Sequence, residues 1–291
     1  MIAEIISIGT ELILGDVIDS NSAYIAEQLT RYGYDIHYIS TVGDNKKRLI
    51  KVIERAIIRA DIIITTGGLG PTTDDITREA IAESTGCSLQ KNTKLLENIK
   101  DYFHHKNYKM TINNERQAYL PEGAKALTNN FGTAPGFILK KDEYKIISLP
   151  GVPREMKGIL ENEVKPILLQ DNENIIKSKT LNFFRIGEST LENKIDDIIN
   201  NQNNPTIALL AGKGEVKIRI TAKGCNQHKV DTLINTVEEK IRNRVGKYIY
   251  TVNDKKLEKV IGDLLNEKDM TLAVAESCTG GLIGRRITDI P

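Results

Sequence analysis

The sequence predicts an α/β fold with a doubly wound, mostly parallel sheet over residues 1–168. Three hydrophobic segments, near Ile5–Ile8, Ile36–Val42 and Asp61–Thr66, are each followed by apolar residues at helical spacing. The third segment is rich in β-branched residues without polar alternation, as expected for a strand that is covered on both faces. Alternating strands and helices are typical of a parallel sheet with right-handed crossovers.

Local signals support the boundaries of this first domain. Asn21 is the predicted N-cap of the first long helix and Gly33 follows the end of that helix. Two short apolar runs on either side of residues 141–143 predict an antiparallel hairpin. We place the end of the domain near Pro166.

The rest of the chain predicts two further regions. Residues 171–250 read as strand, helix, hairpin, helix and strand, which is the order of a small α+β domain. The polar segment Thr251–Lys256 is interpreted as a linker. Residues 256–291 form the third region, for which we predict a helix over Leu257–Leu265 and a strand over Thr271–Ala275.

Composition excludes several classes of function. Lys and Arg number 40 against 39 Asp and Glu, so the chain has no broad positive field and no nucleic-acid partner is expected. The three cysteines are scattered, which favours a reducing compartment. No basic, apolar leader and no apolar run of about 20 residues is present, so we expect a cytoplasmic protein without a membrane partner.

Two unusual loops follow neighbouring strands of the predicted sheet. The first strand ends in Gly9-Thr10-Glu11 and the third in Gly67-Gly68-Leu69-Gly70-Pro71, and strand order 2-1-3 places these ends side by side. Glycines let backbone N–H groups approach a ligand, and the next helix, near Thr72, directs its positive end there. The loop matches neither Gly-x-Gly-x-x-Gly nor Walker A. We expect a phosphate-bearing small molecule, bound by Thr10, Gly67, Gly68, Gly70, Pro71 and Thr72.

The carboxylates beside this loop have two interpretations. Thr72-x-x-Asp75 resembles a capping box, and acidic residues such as Asp74 are favoured at a helix N-terminus. Alternatively, Asp74 and Asp75 hold a Mg²⁺-type divalent metal next to the phosphate, with Glu11 as a further ligand or as a base. Both interpretations can hold at once.

Four motifs in order resemble the CinA family of competence/damage-inducible proteins. They are Gly9–Gly15, Gly67–Asp75, Gly132-Thr133-Ala134-Pro135-Gly136 and Pro150-Gly151-Val152-Pro153. The resemblance covers essentially the whole chain. It implies a first domain similar to molybdopterin-binding proteins that acts as a metal-dependent ADP-ribose pyrophosphatase. It further implies a KH-like middle domain and a C-terminal nicotinamide-mononucleotide deamidase, both concerned with pyridine-nucleotide salvage.

The chemistry that this resemblance implies agrees with the residues. The pyrophosphate would lie on the glycine loop, the metal on Asp74, Asp75 and Glu11, and a metal-activated water would attack one phosphorus. Glu11 and Asp75 are the expected catalytic residues of this domain. Asn21, Thr133 and Gly151 are expected to contact the substrate, although Asn21 can also serve only as a helix cap and Thr133 only to close its turn.

The middle domain is predicted to be a spacer or a dimerisation module rather than an RNA binder. Gly212-Lys213-Gly214-Glu215 falls between two predicted strands and reads as a hairpin turn, whereas RNA-binding KH modules clamp nucleotides with a Gly-x-x-Gly loop. We therefore expect a homodimer that binds no nucleic acid.

Ser277 resembles the family's deamidase nucleophile, within Ala275-Glu276-Ser277-Cys278-Thr279-Gly280-Gly281. The alternative is an ordinary helix cap. The sequence ends at Pro291, which leaves too little chain after Ser277 for a domain with a partner base. We expect this region to be the truncated start of the deamidase domain, without deamidase activity.

Two other functions stay open at this point. The first is a protein that binds molybdopterin or handles adenylyl-molybdopterin, because the glycine loop followed by an aspartate is shared with such proteins. The second is a non-catalytic scaffold, linked to competence, whose pocket senses a nucleotide.

Overall fold

The computed structural model describes residues 1–141, 143–171, 175–212, 215–253 and 255–290. It divides into two compact units, Met1–Asn174 (unit 1) and Ile175–Pro291 (unit 2). Three predicted features fall partly outside the described residues: the hairpin turn at 141–143, the turn at 212–215 and the linker at 251–256.

Unit 1 alternates strands and helices, as the hydrophobic pattern predicts. Its strands are β1 (Ile2–Ile8), β2 (Asp35–Val42), β3 (Ile62–Thr66), β4 (Leu89–Lys91), β5 (Tyr119–Pro121), β6 (Lys125–Leu127), β7 (Gly136–Lys140) and β8 (Lys145–Leu149). Its α-helices are α1 (Thr10–Leu14), α2 (Ser20–Arg31), α3 (Lys46–Arg59), α4 (Thr77–Ser84), α5 (Thr93–His105), α6 (Pro153–Ile159) and α7 (Lys165–Asp171). A 3₁₀ segment covers Ile112–Ala118 and a π-helical turn covers Leu160–Val164.

The main sheet has the order β2-β1-β3-β8-β7-β6. Strands β2, β1, β3 and β8 are parallel, whereas β7 pairs antiparallel with β8 and with β6. This confirms the doubly wound, mostly parallel α/β fold. Ser7 pairs with Thr66, so the carboxyl ends of β1 and β3 are neighbours and their two loops leave the sheet together.

Both faces of this sheet are covered, which explains the unbroken apolar character of β3. Its five residues are all buried. Ile63 belongs to the hydrophobic cluster on one face, while Ile62 and Ile64 belong to the cluster on the other. Successive side chains of a strand point to opposite faces, so both faces require apolar residues.

Two predicted helix starts are wrong, and both errors lie beside the loops. Asp19 caps α2 by accepting from the backbone N–H of Ser22 at 2.9 Å, so the cap comes before Asn21. Helix α4 begins at Thr77, beyond the predicted start near Thr72–Asp75. Asn21 and Asp75 both suit a helix cap, but their side chains bond the backbone of other loop residues instead. A local sequence pattern cannot distinguish these two uses of a polar side chain.

Unit 2 contains four antiparallel strands in the order β10-β11-β9-β12. The elements in chain order are β9 (Ile175–Phe183), α8 (Glu188–Asn200), β10 (Thr206–Gly212), β11 (Glu215–Gly224), α9 (Gln227–Val245), β12 (Ile249–Val252), α10 (Leu257–Glu267) and α11 (Leu282–Thr288). Leu181, Ile195, Ile218 and Ile234 share one buried cluster, which packs α8 and α9 against the sheet.

The strand predicted over Thr271–Ala275 does not form. These residues are in neither a helix nor a strand, and Leu272 and Val274 are about half exposed. A strand requires a neighbour for its backbone N–H and C=O groups, and none pairs with this segment in the described part of the chain. Across the described ranges, no helix is long and apolar enough to cross a membrane.

Candidate functional site

A cavity of about 410 Å³ lies at the carboxyl ends of β1 and β3 in unit 1. This volume falls in the usual range for small-molecule sites, and the position is the one where open α/β sheets bind ligands. Most lining residues come from both predicted loops and from the Thr133 and Gly151 motifs, and the rest lie outside them. The full lining is Ile8, Gly9, Glu11, Asp44, Gly67–Pro71, Asp74, Asp75, Gln117, Thr133, Ala134, Pro150, Gly151, Val152 and Glu155.

The four carbonyl groups of residues 67–70 are all held by the start of helix α4. Thr77 donates its hydroxyl to the oxygen of Gly67 at 2.8 Å and its backbone N–H to the oxygen of Gly68 at 3.2 Å. Arg78 donates to the oxygens of Leu69 and Gly70, at 2.8 and 2.7 Å. We call this set of four bonds the carbonyl clamp. It turns every carbonyl of the loop toward α4, which fixes the orientation of the loop's peptide planes.

The clamp leaves two successive backbone N–H groups without an acceptor. Gly67 donates to the oxygen of Leu149 at 3.0 Å, and Gly70 donates to Asp75 Oδ1 at 2.7 Å. In the part of the chain that the structure describes, the N–H groups of Gly68 and Leu69 have no such partner, and both residues line the cavity. Successive N–H groups in this type of turn form an anion-binding nest.

Asp75 supports the loop rather than capping α4. Its Oδ1 accepts from Gly70, and its Oδ2 accepts from the backbone N–H of Thr72 at 2.8 Å and from the Thr72 hydroxyl. Thr72 does not line the cavity, but it donates to Asp75, which does. Thr72 and Asp75 bond each other as the predicted capping box requires, but they close the loop that precedes α4 and do not cap the helix.

Five carboxylates line the cavity: Glu11, Asp44, Asp74, Asp75 and Glu155. No Lys, Arg or His appears among the described lining residues. The predicted metal ligands Glu11, Asp74 and Asp75 do not form a cluster, since no group of three His, Cys, Asp or Glu side chains in the described residues is placed to hold an ion. The residues therefore do not fit a preformed three-carboxylate metal site.

Thr10 and Asn21 bond residues of the cavity lining without belonging to it. Thr10 donates its N–H and its hydroxyl to Asp44 Oδ2, at 2.9 and 2.8 Å. Asn21 Nδ2 donates to Thr66 Oγ1 at 3.0 Å and to the oxygen of Gly151 at 2.7 Å. Through these bonds Thr10 and Asn21 support the lining, and their predicted substrate contacts stay predictions.

Gln117 lines the cavity beside Thr133 and was not predicted as a site residue. Gln117 is 1% exposed and donates its Nε2 to Thr133 Oγ1 at 3.2 Å. Because the Thr133 oxygen accepts this bond, its O–H is available to donate into the cavity. Gln117 lies in the 3₁₀ segment between α5 and β5, where no motif points to a site.

Asp44 and Glu155 were also missed, although each carries a usable signal. Asp44 follows β2, and the rule that ligands bind beyond strand ends applies to that strand as well. Glu155 lies in the first turn of α6, directly after the Pro150–Pro153 motif. Its Oε2 accepts from Asn129 Nδ2 at 2.6 Å, and burial raises the pKa of Glu155 against the opposing effect of that bond.

Ser277 belongs to unit 2 and is exposed. Its hydroxyl makes no hydrogen bond to the described residues, so it is not joined to a base. The neighbouring Glu276 accepts from the N–H groups of Ile283 and Gly284, at 2.8 and 2.7 Å, and thereby caps the start of α11. The helix-cap role considered for Ser277 is performed by Glu276.

A second cavity, of about 570 Å³, lies in unit 2 between the end of α8, the start of β10 and α9. Its lining mixes Ile198, Ile207 and Leu233 with amides, and its Arg244 pairs with Asp197. Asp197 is the one carboxylate among its described lining residues, and it already pairs with Arg244. We therefore take the cavity at the glycine loop as the candidate site.

Gly68→Ala is expected to weaken binding of inorganic pyrophosphate by about 10-fold or more, because the added Cβ would lie 2.3 Å from Thr77 Oγ1 and displace the clamp. Gly86→Ala is the matched control, since Gly86 has the same φ of 64° and nothing within 4 Å of the added Cβ. Isothermal titration measures both variants. Equal affinities in the two would show that the clamp does not shape the nest.

Glu155→Gln is expected to make the protein more stable at neutral pH. A raised carboxyl pKa means that folding disfavours the ionised form, so stability falls as pH rises from the ordinary carboxyl pKa through the raised one. Glutamine removes this penalty and keeps an acceptor for Asn129. Melting temperatures at pH 7 and below pH 4 test this, with the exposed Glu54→Gln as control. A melting temperature that is raised below pH 4 as well, or one that is lowered at pH 7, would contradict the raised pKa of Glu155.

Comparisons with known proteins agree with this architecture. The family model described as a probable molybdopterin binding domain matches residues 4–170. The damage-inducible protein CinA KH domain matches residues 178–251, and the CinA C-terminal domain matches residues 254–291. A crystal structure of the protein CinA, of unknown function, from Thermoplasma acidophilum superposes with a TM-score of 0.54 at 32% identity, covering 57% of this chain and 97% of that one.

Relatives that align with the whole of this chain belong to the same family. A putative competence-damage inducible protein of Halothermothrix orenii is 58% identical over 291 residues, which are 100% of this chain and 70% of the relative. One from Clostridioides difficile is 50% identical over 298 residues, covering 100% of this chain and 71% of the relative. The chain therefore belongs to the CinA family of competence-damage inducible proteins.

Proposed function

We propose that unit 1 binds the diphosphate of a nucleotide sugar such as ADP-ribose and hydrolyses its pyrophosphate bond. The observation that carries this proposal is the pair of unpartnered N–H groups at Gly68 and Leu69, in a loop whose four carbonyls all bond toward α4. Backbone donors of this kind suit phosphate oxygens, as in other glycine loops at helix starts. AMP and ribose 5-phosphate are the expected products.

The charge of the cavity supports a requirement for a divalent cation. Two like charges about 4 Å apart repel by about 4 kcal/mol at an effective dielectric of 20, and five carboxylates surround the space that a diphosphate would enter. Because these carboxylates do not form a resident metal site, we propose that Mg²⁺ enters with the diphosphate as part of the substrate. Mg²⁺ typically keeps several waters and takes one or two carboxylates beside the substrate phosphates.

The chain's own residues have distinct roles in this proposal. The nest holds one phosphoryl group, so that the neighbouring phosphorus faces the carboxylates. Glu11 lines the cavity, and its carboxylate makes no hydrogen bond to the described residues. We assign it as the base that takes a proton from the attacking water. The new bond joins that water's oxygen to phosphorus, and the bond from phosphorus to the bridging oxygen breaks.

A second function has one observation in its favour. The family model that covers residues 4–170 is named for molybdopterin binding. A molybdopterin carries a phosphate, which the same nest would hold. In this alternative the carboxylates would contact the pterin or an adenylyl group, and ADP-ribose would not be cleaved. The expected homodimer, the cytoplasmic location and the absence of a nucleic-acid partner stay predictions of the sequence.

Incubating the protein with ADP-ribose and Mg²⁺, followed by chromatography of the nucleotides, separates these functions. The pyrophosphatase predicts equal amounts of AMP and ribose 5-phosphate, with cleavage abolished by a chelator. If ADP-ribose binds but is never cleaved under any divalent metal, unit 1 is a nucleotide sensor. If only a molybdopterin binds, the second function holds.

Asp75→Asn is expected to lower kcat/KM for ADP-ribose by about 10-fold or more. The substitution replaces one acceptor oxygen by an NH₂ group, so Gly70 or Thr72 loses its partner and the loop loosens. Steady-state kinetics measures the effect, with the exposed Asp16→Asn as control. A folded Asp75→Asn variant with normal kcat/KM would exclude both the supporting role and a metal-ligand role.

A further inference from the structure

Arg78 is a buried cation whose two hydrogen bonds to the described residues both go to the glycine loop. It is 2% exposed, and its guanidinium donates to the backbone oxygens of Leu69 and Gly70. No carboxylate of the described residues forms an ion pair with it. Burial lowers the pKa of Arg78 to about 10, with Glu79 and Asp75 opposing, so it stays charged at neutral pH.

Arg59, in the same unit, has a carboxylate partner for its positive charge. Its Nε and Nη2 bond both oxygens of Glu4, at 2.8 and 2.7 Å, and Glu4 is fully buried. Buried charges are normally paired in this way, because an uncompensated charge in the interior is costly. Arg78 has carbonyl dipoles in place of a carboxylate, so its charge is available to an anion on the far side of the loop.

The peptide between Leu69 and Gly70 connects Arg78 with the cavity. Arg78 Nη1 holds the oxygen of this peptide at 2.8 Å, and Asp75 Oδ1 holds its N–H at 2.7 Å. With both ends fixed, the plane of this peptide is set. The free N–H of Leu69 belongs to the preceding peptide, whose oxygen Thr77 holds, so Arg78 fixes the C-terminal boundary of the nest. Hydrogen bonds in series also polarise one another, which strengthens the bond from Gly70 to Asp75 that closes the loop.

We propose that Arg78 is a positioning residue that also supplies positive charge to the nest, acting through the loop peptides without touching the ligand. This inference rests on the anion site of the proposed function. The cavity lining has five carboxylates and no cationic side chain in the described residues, so a diphosphate gains no direct contact from Lys or Arg there. A cation behind the loop offsets part of that repulsion.

The test is isothermal titration of Mg²⁺ with inorganic pyrophosphate into the full chain and three variants. Arg78→Lys keeps the positive charge but cannot donate to both carbonyl oxygens in the same geometry. Arg78→Met removes the charge and both hydrogen bonds. We expect Kd to rise by about threefold in Arg78→Lys and by about 30-fold in Arg78→Met, as charge-assisted bonds of this type imply. Arg59→Met is the control, since it also loses a buried interaction and lowers the melting temperature but is expected to leave Kd unchanged.

The order of affinities decides the outcome. A folded Arg78→Met variant with wild-type Kd, or Lys and Met variants of equal Kd, would overturn the proposal, as would an equal loss in Arg59→Met. If Arg78→Met does not fold, the comparison of Arg78→Lys with Arg59→Met still decides it. Wild-type protein that binds no pyrophosphate also overturns it. Intact pyrophosphate binding without ADP-ribose cleavage overturns only the proposed hydrolase.

Discussion

The candidate site depends on one constraint, the bonding of four successive loop carbonyls to two residues of helix α4. Thr77 and Arg78 draw the oxygens of residues 67–70 toward the helix, which leaves the N–H groups of Gly68 and Leu69 for a ligand. Asp75 closes the same loop from the other side. A loop without these bonds would have to satisfy its carbonyls elsewhere, and its donors would have no fixed direction.

The carboxylates around the cavity give the site its second property. In the proposed function, the five lining carboxylates, which form no cluster of three metal ligands in the described residues, would repel a bare diphosphate, and a Mg²⁺ that arrives with the phosphates would offset this repulsion. Thr10 and Asn21, which do not line the cavity, bond Asp44 and the oxygen of Gly151 in its lining. The lining residues are thus supplied by several loops at one edge of the sheet.

Much of the fold follows from the sequence because its signals are local. The unbroken β-branched run of β3 and the helical spacing of the next segment predict the parallel sheet and the adjacent loops. What the sequence did not reveal are the site residue Gln117, which bonds a residue distant in the chain, and the role of Asp75 within its motif. Gln117 reaches Thr133 from a 3₁₀ segment, and Asp75 bonds backward to Gly70 rather than forward into α4. The strand predicted over Thr271–Ala275 has apolar residues but no partner, and hydrophobicity alone does not make a strand.

The most direct test of the central claim is an amide chemical-shift titration of the full chain with ADP-ribose and Mg²⁺. If the two free donors of the loop hold the diphosphate, the backbone amides of Gly68 and Leu69 shift furthest downfield and saturate at one equivalent. The amides of Gly67 and Gly70, which already donate within the protein, move less. Saturable binding that leaves the amides of Gly68 and Leu69 unmoved, or that shifts only residues of unit 2, would contradict the account.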